Sequence, residues 1–176
     1  MYSPDSNTVS AGLLIARLIL GPVMAAHGTQ KLFGWFGGYG LAGTGGFMES
    51  LGFRPGRAFA AAAATSELVG GLLLTLGLLG PIGPALIIGV MIVAAVSVHW
   101  KHGLFAANNG IEVPLLYGTT AAALALTGPG LYSLDALVGL DRLWIPGLAW
   151  AAIGVGIVGA IINLGLRRLA PRVSAA

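Results

Sequence analysis

Hydrophobic positions along this chain run in long unbroken blocks, and five of them reach or approach the roughly 20 residues with which an α-helix crosses a bilayer. They cover residues 9–28, 58–80, 82–100, 113–131 and 145–166. Apolar and polar residues nowhere alternate over about ten residues, as a membrane β-barrel requires, so the blocks predict helices. Gly80-Pro81-Ile82-Gly83-Pro84 has room only for a reversal, which makes the second and third helices antiparallel neighbours. The fourth block is the weakest: Gly118 interrupts it and Gly128-Pro129-Gly130 follows, so its helix should stop near Thr127. Residues 34–46, rich in glycine, predict a flexible or re-entrant loop. Within them Gly38-Tyr39-Gly40-Leu41-Ala42-Gly43 matches the dinucleotide fingerprint by letter, but no strand precedes it and no βαβ unit surrounds it, so it is a chance match among 29 glycines.

Composition settles which solvent these helices face. Hydrophobic residues make up 56% of the chain and charged residues 9%, against about 25% charged in soluble domains. The mean hydropathy is +0.88. With hydrocarbon outside, every backbone polar group must be satisfied internally, and the chain reads as an all-α integral membrane bundle. The net charge of +3 does not indicate nucleic acid as a partner, because the basic residues sit mostly at helix ends. Lys31, Arg54, Arg57, Lys101, Arg167, Arg168 and Arg172 all fall on one side of a five-span topology, whereas Asp5, Asp135, Asp141 and Arg142 fall on the other. The positive-inside rule then puts the N-terminus outside and the C-terminus in the cytoplasm. Residues 1–10 carry Asp5 and no basic cluster, so the first apolar block is expected to be a retained helix. Cysteine is absent, which removes disulfides, thiolate nucleophiles and cysteine-bound metals from this chain.

Lipid makes the remaining polar residues informative. Arg17 and Glu67 fall near the middle of the first and second blocks, each on a stripe of small residues. A charge at that depth needs a partner or water, and counting along the helices predicts an intramembrane Arg17–Glu67 ion pair. The pair serves either to set helix register or to bind a ligand or move protons. Gly21, Gly28, Gly70 and Gly71 on the same faces are expected to let the helices pack closely. A second group gathers at the basic side: His27, Lys31, His99, His102 and Glu112 make a candidate cytoplasmic-side polar pocket. Three readings remain open for it. His99 and His102, three apart, could begin a metal or haem-edge site with Glu112 or His27, although no metal is assigned. A quinone head group could be held by a histidine among Trp35, Phe36, Trp100 and Phe105. The same residues also suit a plain aromatic and basic belt at headgroup level.

The run from Arg17 through Gly21-Pro22, His27-Gly28-Thr29-Gln30-Lys31 and Gly34-Trp35-Phe36-Gly37-Gly38 resembles the opening motif of the DoxX family of small bacterial membrane proteins. Glu67-Leu68-Val69-Gly70-Gly71 is similar to that family's second helix, Gly110-Ile111-Glu112 to the start of its fourth, and Gly128-Pro129-Gly130 through Ser133 to Asp135 to its closing signature. The resemblance implies a four-helix DoxX-like core over residues 1–136, with residues 137–176 adding a linker, an extra C-terminal transmembrane helix and a basic tail. It also implies a subunit of the bacterial plasma membrane linked to respiratory, sulfur or oxidative-stress redox chemistry, with a protein partner and a possible quinone. Any enzymatic role would be that of a non-autonomous subunit of a quinone-linked oxidoreductase. Two other functions fit the residues: a transporter or lipid-handling protein using the Arg17–Glu67 pair, and a structural scaffold within a larger complex. No catalytic residue can be named from the pattern.

Overall fold

The computed structural model describes residues 6–167, so Asp5, Arg168 and Arg172 lie outside the described residues. All regular structure in it is helical. Seven α-helices follow one another: α1 (Ser6–Phe33), α2 (Gly40–Ser50), α3 (Gly56–Leu76), α4 (Ile82–Ala94), α5 (Glu112–Thr127), α6 (Leu134–Leu137) and α7 (Pro146–Gly165). After Ala94 the α4 helix continues through a π-helical turn (Ala95–His99) and a 3-10 turn (Trp100–His102). Among the described residues, four helices are long and apolar enough to cross a membrane: α1, α3, α4 with its extension, and α7. Helix α5 also runs from one end of the bundle to the other. It ends at Thr127 as its glycines suggested, and its 16 residues reach only about 24 Å. This is a multi-pass membrane protein: a core of α1, α3, α4 and α5 with α7 added at the C-terminal end.

Glycine determines how closely these helices approach. Helices α1 and α3 form the most extensive interface, packed antiparallel. A Cβ on Gly28 would lie 2.6 Å from the Leu68 nitrogen and 2.7 Å from the Ala64 oxygen; one on Gly71 would lie 2.5 Å from the Gly21 oxygen. Backbone therefore meets backbone at two levels, which permits one register only. Gly70 faces Gly83 across the α3–α4 reversal, and Gly156 brings α7 against Ala85 of α4. Larger side chains fill the centre, where Leu20, Met24, Leu74, Ile87, Met91 and Leu124 pack together. We expect Gly28→Ala to cost about 2 kcal/mol in a detergent unfolding titration, because the obstructing atoms are backbone and the helices must separate. Gly159→Ala, at a position with nothing within 4 Å, should be neutral or mildly stabilising.

Residues 34–46 differ from the loop expected of them. The chain reverses through Gly34 (φ 77°), Phe36 (φ 51°) and Gly37 (φ 76°), and α2 then begins at Gly40. Four glycines within α2 give it little intrinsic helix propensity. Packing supplies the stability: Gly45 fits against Arg57, and the Glu49 carboxylate accepts a hydrogen bond from the Gly56 nitrogen at 3.1 Å, at the start of α3. Helix α2 thus stands at the basic end of the bundle. Lys31, Arg54, Arg57, Lys101 and Arg167 belong to the same end, by the antiparallel order of α1, α3 and α4 and by the bond from Arg167 to the Leu51 carbonyl.

The opposite end is closed by residues of the Gly-Pro-Gly signature. Ser10 of α1 accepts a hydrogen bond from the Leu131 nitrogen at 3.1 Å, and Ser133 caps α6 by accepting from the Ala136 nitrogen at 3.2 Å. Asp135 is wholly buried and accepts three hydrogen bonds, from the Leu79 nitrogen (3.0 Å), the Gly80 nitrogen (2.8 Å) and the Trp144 indole (2.7 Å). One carboxylate therefore ties the α3–α4 turn to the segment leading into α7.

Candidate functional site

Arg17 and Glu67 are both buried, 1% and 2% exposed, but they do not meet. The Arg17 guanidinium donates to the Tyr132 carbonyl and lies against Gly77, at the Asp135 end of the bundle. No described residue accepts from its Nε or Nη1. Glu67 is instead gripped by Lys31, whose Nζ lies 2.5 Å from both carboxylate oxygens. The expected Arg17–Glu67 pair is therefore corrected to Lys31–Glu67. The cause is register: the glycine contacts set Arg17 opposite Gly77, and Glu67 lies ten residues back along α3, about 15 Å away. Helix α1 also runs on to Phe33, past the end of the apolar block, which carries Lys31 down to the level of Glu67.

Next to this pair, between the end of α1 and α2, lies a cavity of about 590 Å³ lined by His27, Gln30, Lys31, Tyr39, Thr44 and Phe47 with Gly37, Gly38 and Gly43. Its polar groups are ordered by their own hydrogen bonds. Gln30 Nε2 donates to the Phe36 carbonyl at 3.2 Å, which leaves its Oε1 to accept from His27 Nδ1 at 3.1 Å. A neutral His27 then carries its proton on Nδ1 and keeps Nε2 as a free acceptor. The His27 ring lies 6.4 Å from that of Tyr117 on α5. Gly38 can only be glycine, since a Cβ there would sit 2.6 Å from the Gln30 Cα.

The candidate pocket expected from the sequence is thus divided. His27 and Lys31 line the cavity, whereas His99, His102 and Glu112 serve the loop between α4 and α5. His99 Nδ1 bonds to the Asn109 carbonyl at 2.8 Å, His102 Nδ1 to the Val98 carbonyl at 3.1 Å, and Glu112 accepts from the Ala106 nitrogen at 2.7 Å. His99 closes the π-helical turn and His102 the 3-10 turn that follows it, and each imidazole is taken by a backbone carbonyl, not by a shared ligand. Among the described residues, no three His, Asp or Glu side chains converge on a common point. Trp35, Phe36, Trp100 and Phe105 do not line the cavity; its aromatic lining comes from Phe47 and from Tyr39, which is itself largely exposed. Thr44 and Phe47 were not singled out from the sequence, and Gln30, Tyr39 and Asp135 were named only within motifs or as a loop charge, not as site residues. The spacing of Gln30, three residues after His27, was the one local signal for a side-chain contact on the same face.

Comparison with known proteins bears on this geometry. The family model described as DoxX matches residues 12–100, half of the chain. The chain belongs to the DoxX family. CatD of Bacillus subtilis (strain 168), provisionally named an oxidoreductase, is 34% identical over 133 residues, which cover 76% of this chain and 91% of that protein. No solved structure matches at comparable significance. The DoxX match takes in Arg17, His27, Lys31 and Glu67 and ends before Glu112, Asp135 and α7.

Proposed function

We propose that this DoxX protein is a redox-linked membrane subunit that receives a quinone head group in the cavity between α1 and α2 and anchors the partner that exchanges electrons with it. The observation that carries this reading is the cavity's lining. Glu67 neutralises Lys31, so the site offers no net charge to attract a free anion. Its lining residues include His27, Tyr39 and Thr44, which carry polar groups, and Tyr39 and Phe47, which carry aromatic rings. An uncharged planar ring with two oxygens suits such a mostly apolar slot with a few placed polar groups. The name of CatD supports the redox link, and the basic end of the bundle supports a cytoplasmic placement of the cavity in a bacterial plasma membrane. A path built on adjacent Arg17 and Glu67 has lost its geometric basis, which weighs against a transporter of that design.

The test is a titration of the purified protein in nanodiscs with a short-chain quinone, read by quenching of tryptophan fluorescence. Saturable quenching is expected, with His27→Phe and Tyr39→Ala each weakening the apparent affinity about tenfold. Non-saturable quenching that is the same in all three proteins would overturn the proposal. Partner anchoring is read separately, by cross-linking in native membranes.

A further inference from the structure

A second space, unrelated to the polar cavity, opens on the face of the bundle formed by α3, α4 and α7. It measures about 590 Å³, and its walls are small and apolar, with Ala62, Ala63, Ala85, Gly89, Ala151 and Gly159 among them. Helix α2 separates the two spaces: Phe47 lines the polar cavity, and its neighbour Met48 lines this groove. Along α7 the groove runs from Leu148 to Asn163, about 22 Å at the helical rise, longer than one leaflet's share of a hydrocarbon core of about 30 Å.

What distinguishes the groove from bare lipid-facing surface is its basic end. Phe59 lines it there, the Phe53 ring lies 5.2 Å from Phe59, and the Arg167 guanidinium stands 5.7 Å over Phe53. Arg167 follows Asn163 by one helical turn, and its Nε is committed to the Leu51 carbonyl at 2.5 Å. Its two terminal nitrogens have no partner among the described residues, and Arg54 and Arg57 are exposed on the same loop and the first turn of α3. An apolar slot with the Arg167 guanidinium two rings beyond its Phe59 wall is complementary to one molecule abundant in a membrane. We infer that the groove retains an anionic phospholipid, with one acyl chain along α3 and α7 and its phosphate on Arg167. The added C-terminal segment then has a binding role: α7 supplies one wall of the slot, and Arg167, two residues past its end, the phosphate ligand.

The experiment uses full-length protein in nanodiscs of equal phosphatidylglycerol and phosphatidylcholine, released into the gas phase for native mass spectrometry. Wild type should retain one phosphatidylglycerol, in preference to phosphatidylcholine by about tenfold. Gly159→Leu, placed where a side chain meets nothing within 4 Å of its Cβ, should fill the slot and abolish retention of both lipids. Arg167→Gln should keep a bound lipid but lose the preference for the anionic one. Ala151→Leu repeats the filling test should Gly159→Leu unfold early. Equal retention of the two lipids, or retention unchanged by both filling variants, would overturn the inference. So would a dimer that dissociates when the slot is filled, since that outcome assigns the face to a second copy of the chain.

Discussion

Lys31→Met is expected to lower the free energy of unfolding by about 3 kcal/mol, and adding Glu67→Gln should restore most of it. Glu67 is 2% exposed, on a face of α3 where its neighbours are alanine and glycine. Without Lys31 the carboxylate must take up a proton or remain charged in a site that solvates it poorly. The expected cost stays at the lower end for a broken buried pair because the Lys31 side chain keeps 29% exposure and so already meets some water. Unfolding in mixed detergent micelles, followed by circular dichroism, measures the effect. A double-mutant cycle makes the result specific: Lys31 and Glu67 should couple strongly, while Arg17→Met and Glu67→Gln should add to within about 0.5 kcal/mol, as expected of groups about 15 Å apart. Strong Arg17–Glu67 coupling would contradict the register set by Gly21, Gly28 and Gly71.

Asp135→Ala should be at least as damaging, at about 4 kcal/mol. Three donors lose their acceptor together, the Gly80 nitrogen buried and those of Leu79 and Trp144 part-buried, and an unsatisfied group costs about 1–3 kcal/mol where water cannot replace its partner. Two of them are backbone nitrogens in a turn where Gly77, Leu79 and Gly80 all take positive φ. At Leu79, φ of 62° is a conformation that side chains rarely adopt. The carboxylate offsets that strain by accepting from Leu79 and Gly80 at once. Asp135→Asn keeps one acceptor oxygen and turns an amide donor toward other donors, so an intermediate loss is expected. The local signature of the Ala variant should be faster hydrogen exchange at Leu79 and Gly80, with α1–α3 amides protected. If exchange rises evenly over the whole bundle, the latch reading of this residue fails.

Much of this architecture is legible in the hydrophobic pattern because lipid narrows the choices to helices. The reversal at residues 80–84, the stop at Thr127 and the extra C-terminal helix all follow from runs of apolar residues and the prolines and glycines between them. Helix α2 was not legible, because its glycines argue for a loop and only contacts with Arg57 and Gly56 make it a helix. The site shows the same division. His27 and Lys31 stand out as polar residues at the end of an apolar run. Their separation from His99, His102 and Glu112 depends on backbone partners in the α4–α5 loop that no local residue pattern announces.

Hydropathy alone determined that the protein lives in a membrane and where its apolar helices lie, since both depend on the transfer of single segments between water and hydrocarbon. Tertiary structure decided which charges meet. A one-turn slide of α1 against α3 leaves every segment equally apolar yet moves each side chain by about 5.4 Å. Only the backbone contacts at Gly21, Gly28 and Gly71 choose among those registers, and they give Glu67 to Lys31 and leave Arg17 to the carbonyl of Tyr132.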